Sequence, residues 1–231
     1  MSTTRIALVT GANRGIGAAI AAGLAAQGMT VVAGSRGGGP GTLRLDVTDD
    51  DSVRDAVAEV AGRYGRLDVL VNNAGISGGI DGQVSGEIDP EVMRTVFETN
   101  LFGVVRVTEA FLPLLRKGDG GRIINVSSGT ASLTWQSDPG HAFASGRLPL
   151  AYPASKAALN MVTVMYAKTL ASEGITVNAV APGACGTDFA TDLGLSLERT
   201  AEQGAAIVLH LATVAESPTG TFVQDDGPVP W

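Results

Sequence analysis

Short runs of consecutive apolar residues alternate along the chain with longer segments in which apolar residues recur every three or four positions. Residues 5–10 form the first apolar run, and Ile16, Ile20 and Leu24 then recur at helical spacing until Gly28. Such runs predict buried strands, and the longer spacing predicts helices packed against them. Further strands are predicted at 30–35, 43–47, 68–72, 122–126, 176–181 and 220–223, and further helices at about 48–64, 90–117, 152–173 and 198–212.

This alternation predicts an α/β fold, a doubly wound parallel sheet of about seven strands with helices on both faces. No linker, repeat or low-complexity segment interrupts it, so residues 1–231 are expected to form a single domain. Thr48, followed by Asp51 three positions later, is predicted to cap the second helix. Only the glycine-rich residues 36–42 connect strands two and three, which predicts a bare loop in place of a crossover helix.

Composition and charge narrow the function classes. The chain has 231 residues, 45% of them hydrophobic, and a formal net charge of −7, which disfavours nucleic-acid binding. No apolar stretch approaches the ~20 residues of a membrane helix, and the first apolar run is too short for a secretory signal, so a cytoplasmic protein is expected. Cys185 is the only cysteine, and His141 and His210 lack metal-ligand spacing, so neither a disulfide framework nor a metal site is expected.

A glycine-rich segment, TGANRGIG at residues 10–17, follows the first predicted strand and opens the first helix. In a β-α-β unit such glycines permit a sharp turn and bring backbone N–H groups and the positive end of the helix close to a pyrophosphate. A plain strand-to-helix turn is the alternative, since glycine is common throughout this chain. We interpret the segment as a dinucleotide-binding loop with contacts from Gly11, Asn13, Arg14, Gly15, Ile16 and Gly17.

The residue type at the end of the second strand indicates whether a dinucleotide-binding domain prefers NAD or NADP. An acidic residue there binds the ribose 2′-hydroxyl of NAD, whereas arginine accommodates the 2′-phosphate of NADP. This chain has Ser35 and Arg36 at that point, with no acidic residue until Asp46, and the glycine loop supplies Arg14 as a second cation. NADP(H) is therefore the predicted cofactor; two solvated loop arginines are the alternative.

Tyr152 and Lys156 lie four residues apart in a predicted helix, and therefore on one helix face. Free tyrosine has a pKa of about 10 and transfers protons slowly at neutral pH. A neighbouring ammonium favours the phenolate, so Lys156 is expected to lower the pKa of Tyr152 toward the working range. The pair is a candidate proton-transfer site, with an ordinary amphipathic-helix tyrosine as the alternative.

The chain resembles the short-chain dehydrogenase/reductase family over essentially its whole length. The resemblance implies a Rossmann-type domain that transfers hydride between a nicotinamide and a carbonyl or alcohol carbon. It implies that Tyr152 protonates the substrate oxygen, that Lys156 also holds the nicotinamide ribose, and that Ser128 binds the carbonyl oxygen. Asn100 would complete a proton relay through water. The motifs that carry the resemblance, in family order, are Thr10-Gly-x3-Gly-x-Gly17, Asn72-Asn-Ala-Gly75, Asn100, Ser128, Tyr152-x3-Lys156 and Pro182-Gly183.

The resemblance also assigns further contacts and separates neighbouring residues. Ser128, the second serine after strand five, matches the family's serine, whereas Ser127 is expected to bind backbone or to pack beside it. Asn72 is expected to stabilise the central sheet. The remaining cofactor contacts implied are Asp46 and Val47 at the adenine, Asn73, Ala74 and Gly75 under the adenosine ribose, and Pro182, Gly183 and Thr187 at the nicotinamide carboxamide.

Residues 130–150 form an insertion, because Ser128 and Tyr152 are 24 positions apart, where many family members have a shorter separation. The insertion and the C-terminal segment 222–231 are similar to the carbonyl-reductase-like branch. We expect a loop at the mouth of the site, with Trp135 and Phe143 shaping an apolar substrate pocket. Alternatively, the loop covers a helix surface through which other members dimerise, so a monomer and a homo-oligomer both stay open.

The function predicted from the sequence is NADPH-dependent reduction of a ketone or aldehyde. An NADP-linked alcohol dehydrogenase working in the oxidative direction is an alternative, because the same residues serve both directions. A non-catalytic NADP(H)-binding sensor is a third interpretation. Such a sensor is expected to lack the tyrosine, the lysine or the serine, and this chain retains all of them.

Overall fold

The computed structural model describes residues 4–144, 149–191, 193–194 and 196–231, and one sheet runs through the centre of this part of the chain. Its strands are β1 (Ile6–Val9), β2 (Thr30–Ser35), β3 (Leu43–Arg44), β4 (Val69–Asn72), β5 (Arg122–Val126), β6 (Thr176–Val180), β7 (Phe222–Gln224) and β8 (Gly227–Pro228). They lie in the order β3-β2-β1-β4-β5-β6-β7-β8, and β8 alone pairs antiparallel, with β7. The predicted doubly wound α/β class is confirmed, with one strand more than the seven predicted.

The α-helices of the described ranges are α1 (Gly15–Ala26), α2 (Asp50–Tyr64), α3 (Pro90–Phe97), α4 (Gly103–Leu115), α5 (Leu133–Ser137), α6 (Ala151–Leu170), α7 (Asp188–Thr191) and α8 (Ala201–Thr213). A π-helical turn, Glu98–Phe102, joins α3 to α4, so the predicted helix 90–117 is present with a widened turn in its middle. None of the helices in the described part of the chain has the length and apolar character that crossing a bilayer requires.

Alternate side chains of β1 enter two different cores, as expected for a strand buried on both faces. Ile6 and Leu8 belong to a cluster with Phe111 of α4, together with residues of α2 and α6. Ala7 and Val9 belong to a second cluster with Leu24 of α1, together with residues of α8. The helices therefore form two layers, and the carboxyl ends of the parallel strands meet between them at one edge of the sheet.

The helix after β3 begins one residue later than the sequence suggested, which makes the predicted Thr48 cap wrong. The cap is Asp49, whose carboxylate accepts hydrogen bonds from the backbone N–H groups of Asp51 and Ser52. Thr48 instead donates its N–H and its hydroxyl to the carboxylate of Asp46, at 3.0 and 2.7 Å. A charged carboxylate is the stronger acceptor at a helix N-terminus, which explains the difference.

The connection between β2 and β3 is the bare loop that its length predicted. Gly38 and Gly41 adopt φ angles of +62° and +72°, which reverse the chain without a helix. A single antiparallel bridge between Gly39 and Thr42 closes the turn. The chain therefore passes from β2 to the edge strand β3 through a loop, and the adenine end of a bound dinucleotide would lie beside this loop.

Candidate active site

A cleft of about 1680 Å³ opens where the chain leaves β1, β2, β4, β5 and β6. In open α/β sheets ligands bind in this crevice at the carboxyl ends of the strands. Of the predicted site residues, those in the wall are Gly11, Asn13, Arg14, Gly15, Ile16, Gly17, Arg36, Asp46, Val47, Asn73, Ala74, Gly75, Ser128, Trp135, Phe143, Tyr152, Lys156, Pro182, Gly183 and Thr187. Ser35 and Asn100 lie behind the wall.

The glycine loop has the geometry that a pyrophosphate requires. Gly11 and Gly15 have φ angles of +63° and +55°, and a Cβ on Gly17 would lie only 2.3 Å from the carbonyl oxygen of Gly11. The first turn of α1 has no acidic residue, and its N-cap, Arg14, makes no capping hydrogen bond with its side chain. The first N–H groups of α1 are therefore available to an anion, and the residues present fit a dinucleotide cofactor.

Thr10, which the sequence analysis placed in the glycine motif without assigning it a contact, joins the glycine loop to the loop after β4. Its hydroxyl accepts hydrogen bonds from the N–H groups of Asn73 and Ala74, both at 3.0 Å. The side-chain amide of Asn73 donates to the carbonyl oxygens of Thr10 and Gly11, at 2.9 and 3.2 Å. Asn73 lines the cleft as predicted, and it also braces the loop. A threonine directly before the first glycine was the signal in the sequence.

At the end of the cleft where the sequence predicted the adenine, the wall contains Arg36, Asp46 and Val47. Ser35 is buried, and its carbonyl oxygen accepts the N–H groups of Gly38 and Leu45, which places its contribution in the backbone of the loop. Burial acts to raise the pKa of Asp46. Hydrogen bonds from Thr48 and the charges of Arg36 and Arg44 nevertheless hold this pKa below its usual value.

Arg14 does not extend freely into the cleft. Its guanidinium lies 2.8 Å from the carboxylate of Asp188, the first residue of α7, and both side chains are largely exposed. Asp188 was not among the predicted site residues. This exposed ion pair partly offsets the charge of the cation that the sequence offered as a second partner for a 2′-phosphate.

The catalytic candidates converge in the middle of the cleft. Tyr152 and Lys156 lie one turn apart at the start of α6, and Ser128 follows the end of β5. The Lys156 ammonium donates to the carbonyl oxygen of Val126 at 2.7 Å and lies 5.8 Å from the centre of the Tyr152 ring. The Ser128 hydroxyl lies 2.9 Å from the hydroxyl of Thr130. The structure thus brings together the three residue types that proton transfer to a carbonyl oxygen requires.

The expected lowering of the Tyr152 pKa is wrong for this structure. The ring is partly exposed to the cleft, but desolvation raises the pKa of Tyr152 to about 12, and the nearby Ser128 hydroxyl opposes this rise only in part. Desolvation also lowers the pKa of Lys156 to about 8. Burial outweighs the ammonium because Lys156 is directed at the oxygen of Val126. At neutral pH Tyr152 keeps its proton and Lys156 remains charged.

Asn100 lies in the π-helical turn and is fully buried behind the cleft. Its side-chain oxygen accepts the N–H of Ile76, and its amide donates to the carbonyl oxygen of Ile76 and to the hydroxyl of Ser155, at 2.9 and 3.0 Å. A Cβ on Gly75 would lie 3.2 Å from the Asn100 oxygen and 3.5 Å from the Lys156 nitrogen. A residue without a side chain therefore separates Asn100 from Lys156.

Two predictions about neighbouring residues are resolved by hydrogen bonds. Asn72 donates to the side chains of Thr108 and Asn125, at 3.1 and 2.9 Å, which confirms its role in the central sheet. Ser127 is buried and donates to the side-chain oxygen of Asn160 at 2.7 Å. The same hydroxyl also lies 3.5 Å from the backbone oxygen of Lys156, so the expected backbone contact is present beside a shorter bond to a side chain of α6.

Beyond β6, Pro182, Gly183 and Thr187 line the cleft, and α7 adds a residue that the sequence analysis missed. The ring of Phe189 lies 5.2 Å from the ring of Tyr152, at a tilt of 56°. An aromatic residue two positions after Thr187 was the available signal. Cys185 is buried next to this loop, and desolvation raises the pKa of its thiol, which fits the predicted role as a small apolar residue.

The insertion 130–150 folds into α5 and two short 3₁₀ turns, although its residues 145–148 lie outside the described ranges. Trp135 and Phe143 both line the cleft, and His141 stacks on Trp135 with ring centres 4.8 Å apart. Gly129 lies against the rings of Trp135 and Phe143, since a Cβ on Gly129 would be 3.1 Å from the first ring and 3.4 Å from the second. The aromatic cluster therefore abuts the residue next to Ser128.

Comparison with known proteins identifies the family. The sequence model described as "short chain dehydrogenase" matches residues 5–197. The chain is 36% identical to the short-chain dehydrogenase anuI of Penicillium roqueforti, over 97% of this chain and 95% of that protein. It is 37% identical to a 3-oxoacyl-[acyl-carrier-protein] reductase of Synechocystis, over 98% of both chains.

Solved structures give the same result. The NADPH-bound carbonyl reductase from chicken fatty liver superposes with a TM-score of 0.85, at 29% identity and with 100% of both chains covered. The RhlG/NADP active-site complex of Pseudomonas aeruginosa superposes with a TM-score of 0.81, at 29% identity, over 96% of this chain and 95% of that chain.

Proposed function

The chain belongs to the short-chain dehydrogenase family of oxidoreductases, and from that premise we propose that it reduces a ketone or aldehyde to an alcohol with NADPH as hydride donor. Tyr152 is the general acid, and Lys156, Ser128 and Asn100 support it. The likeness to an NADPH-bound carbonyl reductase over the whole chain supports the cofactor and the substrate class.

The observation that carries the proposal is the convergence of Tyr152, Lys156 and Ser128 in the cleft that begins at the glycine loop. With the pKa of Tyr152 at about 12 and that of Lys156 at about 8, the phenol is protonated and the ammonium is charged at neutral pH. A phenol that keeps its proton is ready to donate it, whereas oxidation of an alcohol needs a phenolate as base. This protonation state suits proton donation to a carbonyl oxygen, and the alcohol dehydrogenase alternative uses the same residues in the opposite direction.

Side chains of the protein stabilise and protonate the carbonyl oxygen of the substrate during the proposed reaction. When bound, the nicotinamide cofactor supplies the hydride. As the carbonyl oxygen gains negative charge, the Ser128 hydroxyl donates a hydrogen bond to it, and Tyr152 transfers its phenolic proton. The transfer is favourable because an alkoxide is a stronger base than a phenolate. Lys156 then stabilises the phenolate, and Asn100 lies on the route by which water returns the proton.

The preference for NADP over NAD rests on charge at the end of β2. Arg36 lines the cleft there, and an acidic side chain that would bind a ribose 2′-hydroxyl is replaced by the buried Ser35. The nearest carboxylate in the cleft wall, Asp46, is already hydrogen-bonded to Thr48. A phosphate therefore meets an arginine at this position.

The substrate end of the cleft is apolar and aromatic. Trp135 and Phe143 approach from the insertion, and Phe189 approaches from α7 against the ring of Tyr152. We propose that these rings bind the non-reacting part of an apolar carbonyl compound and hold its oxygen toward Tyr152. Burial of such a group supplies binding free energy without a charged partner.

The test is NADPH consumption with a panel of aldehydes, ketones, quinones and 3-oxoacyl thioesters, run with the wild-type protein, Tyr152→Phe and Tyr166→Phe. Tyr166 lies on the same helix, but its hydroxyl donates to Glu109 at the surface. Turnover is expected in the wild type and in Tyr166→Phe, and it should be lost in Tyr152→Phe while NADPH still binds. Binding of NADPH without turnover of any carbonyl by the wild type would favour the sensor alternative.

A further inference from the structure

Gln83 is the largest polar residue among the fully buried side chains of the described part of the chain. It lies in the loop that joins β4 to α3, where the sequence analysis assigned no role to any residue after Gly75. A glutamine amide has two N–H donors and an acceptor oxygen, and in a buried position these groups need partners. The partners of Gln83 therefore show which parts of the molecule it holds together.

The amide nitrogen of Gln83 binds one wall of the cleft. Its Nε2 donates to the carbonyl oxygens of Ser77 and Gly79, at 2.8 and 2.6 Å, and both of these residues line the cleft. Gly78 lies between them with a φ angle of +76°, and a Cβ on it would lie 2.8 Å from the Gln83 nitrogen. The amide therefore fixes the turn formed by three consecutive residues of the wall.

Both oxygen atoms of Gln83 accept hydrogen bonds at the start of α6. The side-chain Oε1 accepts the N–H of Ala151 at 3.1 Å, and the backbone oxygen accepts the N–H of Leu150 at 3.0 Å. Leu150 is the N-cap and makes no capping hydrogen bond with its own side chain, and Pro153 has no N–H. Gln83 thus caps α6 from a distant loop, as a polar N-cap side chain does in other helices.

A second buried amide holds the same loop to the next turn of α6. Asn100 exchanges hydrogen bonds with the backbone of Ile76 and donates to the hydroxyl of Ser155, which is adjacent to Lys156. The two amides thus bind different turns of the helix. Loss of the Gln83 contacts frees the turn that carries the acid, while the turn that carries Lys156 stays bound.

We propose that Gln83 is a positioning residue for Tyr152, which directly follows the capped Ala151. This inference rests on the proposed function. Gln83 does not line the cleft, so it acts by holding the first turn of α6 against the wall at residues 77–79 and thereby fixing the phenol relative to the substrate oxygen. Uncapped helix ends fray, and displacement of a catalytic group by about 1 Å costs up to about 10²-fold in rate.

The experiment compares the wild type, Gln83→Met and the control Thr163→Val. Methionine is similar in length to glutamine but cannot replace its side-chain hydrogen bonds. Thr163 is a buried residue of α6, about three turns beyond Tyr152, and its hydroxyl accepts a hydrogen bond from Asn125 at 2.9 Å. The measurements are the melting temperature, the dissociation constant of NADPH, kcat and KM for the best carbonyl of the substrate panel, and the solvent deuterium isotope effect on kcat.

Gln83→Met should lower kcat by about tenfold or more, with NADPH affinity and KM within about twofold of the wild type. Its solvent isotope effect should be larger than that of the wild type, because a displaced phenol makes proton transfer slower. Thr163→Val should lower the melting temperature and leave kcat and the isotope effect unchanged.

Gln83→Glu is a second variant that tests the inference if Gln83→Met does not fold. A protonated carboxyl keeps the acceptor for Ala151 and one donor, whereas a carboxylate has no donor for the oxygens of Ser77 and Gly79. Its kcat, relative to the wild type at the same pH, should therefore fall between pH of about 5 and pH of about 9. A kcat equal to the wild-type value at both ends of this range would contradict the inference.

Two results for folded Gln83→Met would also overturn it. A lower melting temperature with wild-type kcat and isotope effect would make Gln83 a support of the fold alone. Equal losses of kcat and NADPH affinity would make it a general support of the cleft. The proposed function is tested separately. If the wild type turns over no carbonyl, that function and the role of Gln83 fail together, whereas turnover that depends on Tyr152 upholds the function whatever Gln83→Met shows.

Discussion

The ammonium of Lys156 donates a hydrogen bond to the backbone oxygen of Val126 across 2.7 Å. Val126 ends β5, and Ser128 follows two residues later, whereas Lys156 and Tyr152 lie on α6. This bond therefore joins the helix that carries Tyr152 to the end of the strand that precedes Ser128. The side chain is 4% exposed, so little water competes for the contact. The backbone of the sheet therefore holds the proposed catalytic residues in place.

Substitution of Ser128 should reduce the turnover rate, whereas substitution of the adjacent Ser127 should reduce the stability of the fold. Ser128→Ala removes a hydroxyl that faces the developing oxyanion, so kcat should fall by about 10²-fold with little change in the melting temperature. Ser127→Ala leaves the buried Asn160 oxygen without its donor and should lower the free energy of unfolding by about 1–3 kcal/mol with kcat near the wild-type value. Steady-state kinetics and thermal melts check both, and the reverse pattern would exchange the two assignments.

Substitution of Gly17 tests the glycine loop. An alanine Cβ there would lie 2.3 Å from the carbonyl oxygen of Gly11, so Gly17→Ala should displace α1 from the loop and weaken NADPH binding by more than about tenfold. Gly62 provides a matched control, because it lies within α2 and a Cβ on it meets nothing within 4 Å. Gly62→Ala should stabilise the protein by about 0.5–1 kcal/mol and leave cofactor affinity unchanged. Normal NADPH affinity in Gly17→Ala would be incompatible with the pyrophosphate site.

The pKa of Lys156, lowered to about 8 by desolvation, predicts an alkaline limb in the pH profile. Because the group is a cation, it is charged below this pKa and neutral above it. The kcat/KM for reduction should therefore be level below pH of about 8 and decline above it, as the phenolate loses its stabilising charge. Lys156→Arg keeps the charge at high pH, so any residual activity of that variant should lack this limb. A wild-type profile that stays level to pH 10 would contradict the role of the ammonium.

Trp135 should determine substrate affinity more than rate. Trp135→Ala removes one aromatic wall of the pocket, so KM for bulky apolar ketones should rise about tenfold, with a smaller change for the smallest aldehydes. Trp231→Phe is the control, because that ring stacks on Phe222 and does not line the cleft. Equal KM values in Trp135→Ala and in the wild type across substrate sizes would show that the insertion covers another surface.

Features that depend on neighbouring residues in the sequence could be predicted. Contacts between residues that are distant in the sequence could not. The glycine loop, the i and i+4 spacing of Tyr152 and Lys156, and the short β2–β3 connection are local, and the structure places each as predicted. The ion pair of Arg14 with Asp188 joins residues 174 positions apart. The local sequence around either residue does not predict this contact.

Burial explains the remaining differences. The sequence shows that Lys156 is near Tyr152, but the pKa values depend on how much water the folded cleft removes, and desolvation outweighs the charge. The approach of Phe189 to Tyr152 depends on how the chain after β6 folds back over the cleft.

The most direct measurement of the proposed chemistry is a single turnover with NADPH deuterated at the transferable position and the best carbonyl of the substrate panel. Hydride transfer predicts deuterium on the carbinol carbon of the product, a slower transfer than with unlabelled NADPH, and no labelled product from Tyr152→Phe. Unlabelled alcohol, or labelled alcohol formed equally well by Tyr152→Phe, would contradict carbonyl reduction with Tyr152 as its acid.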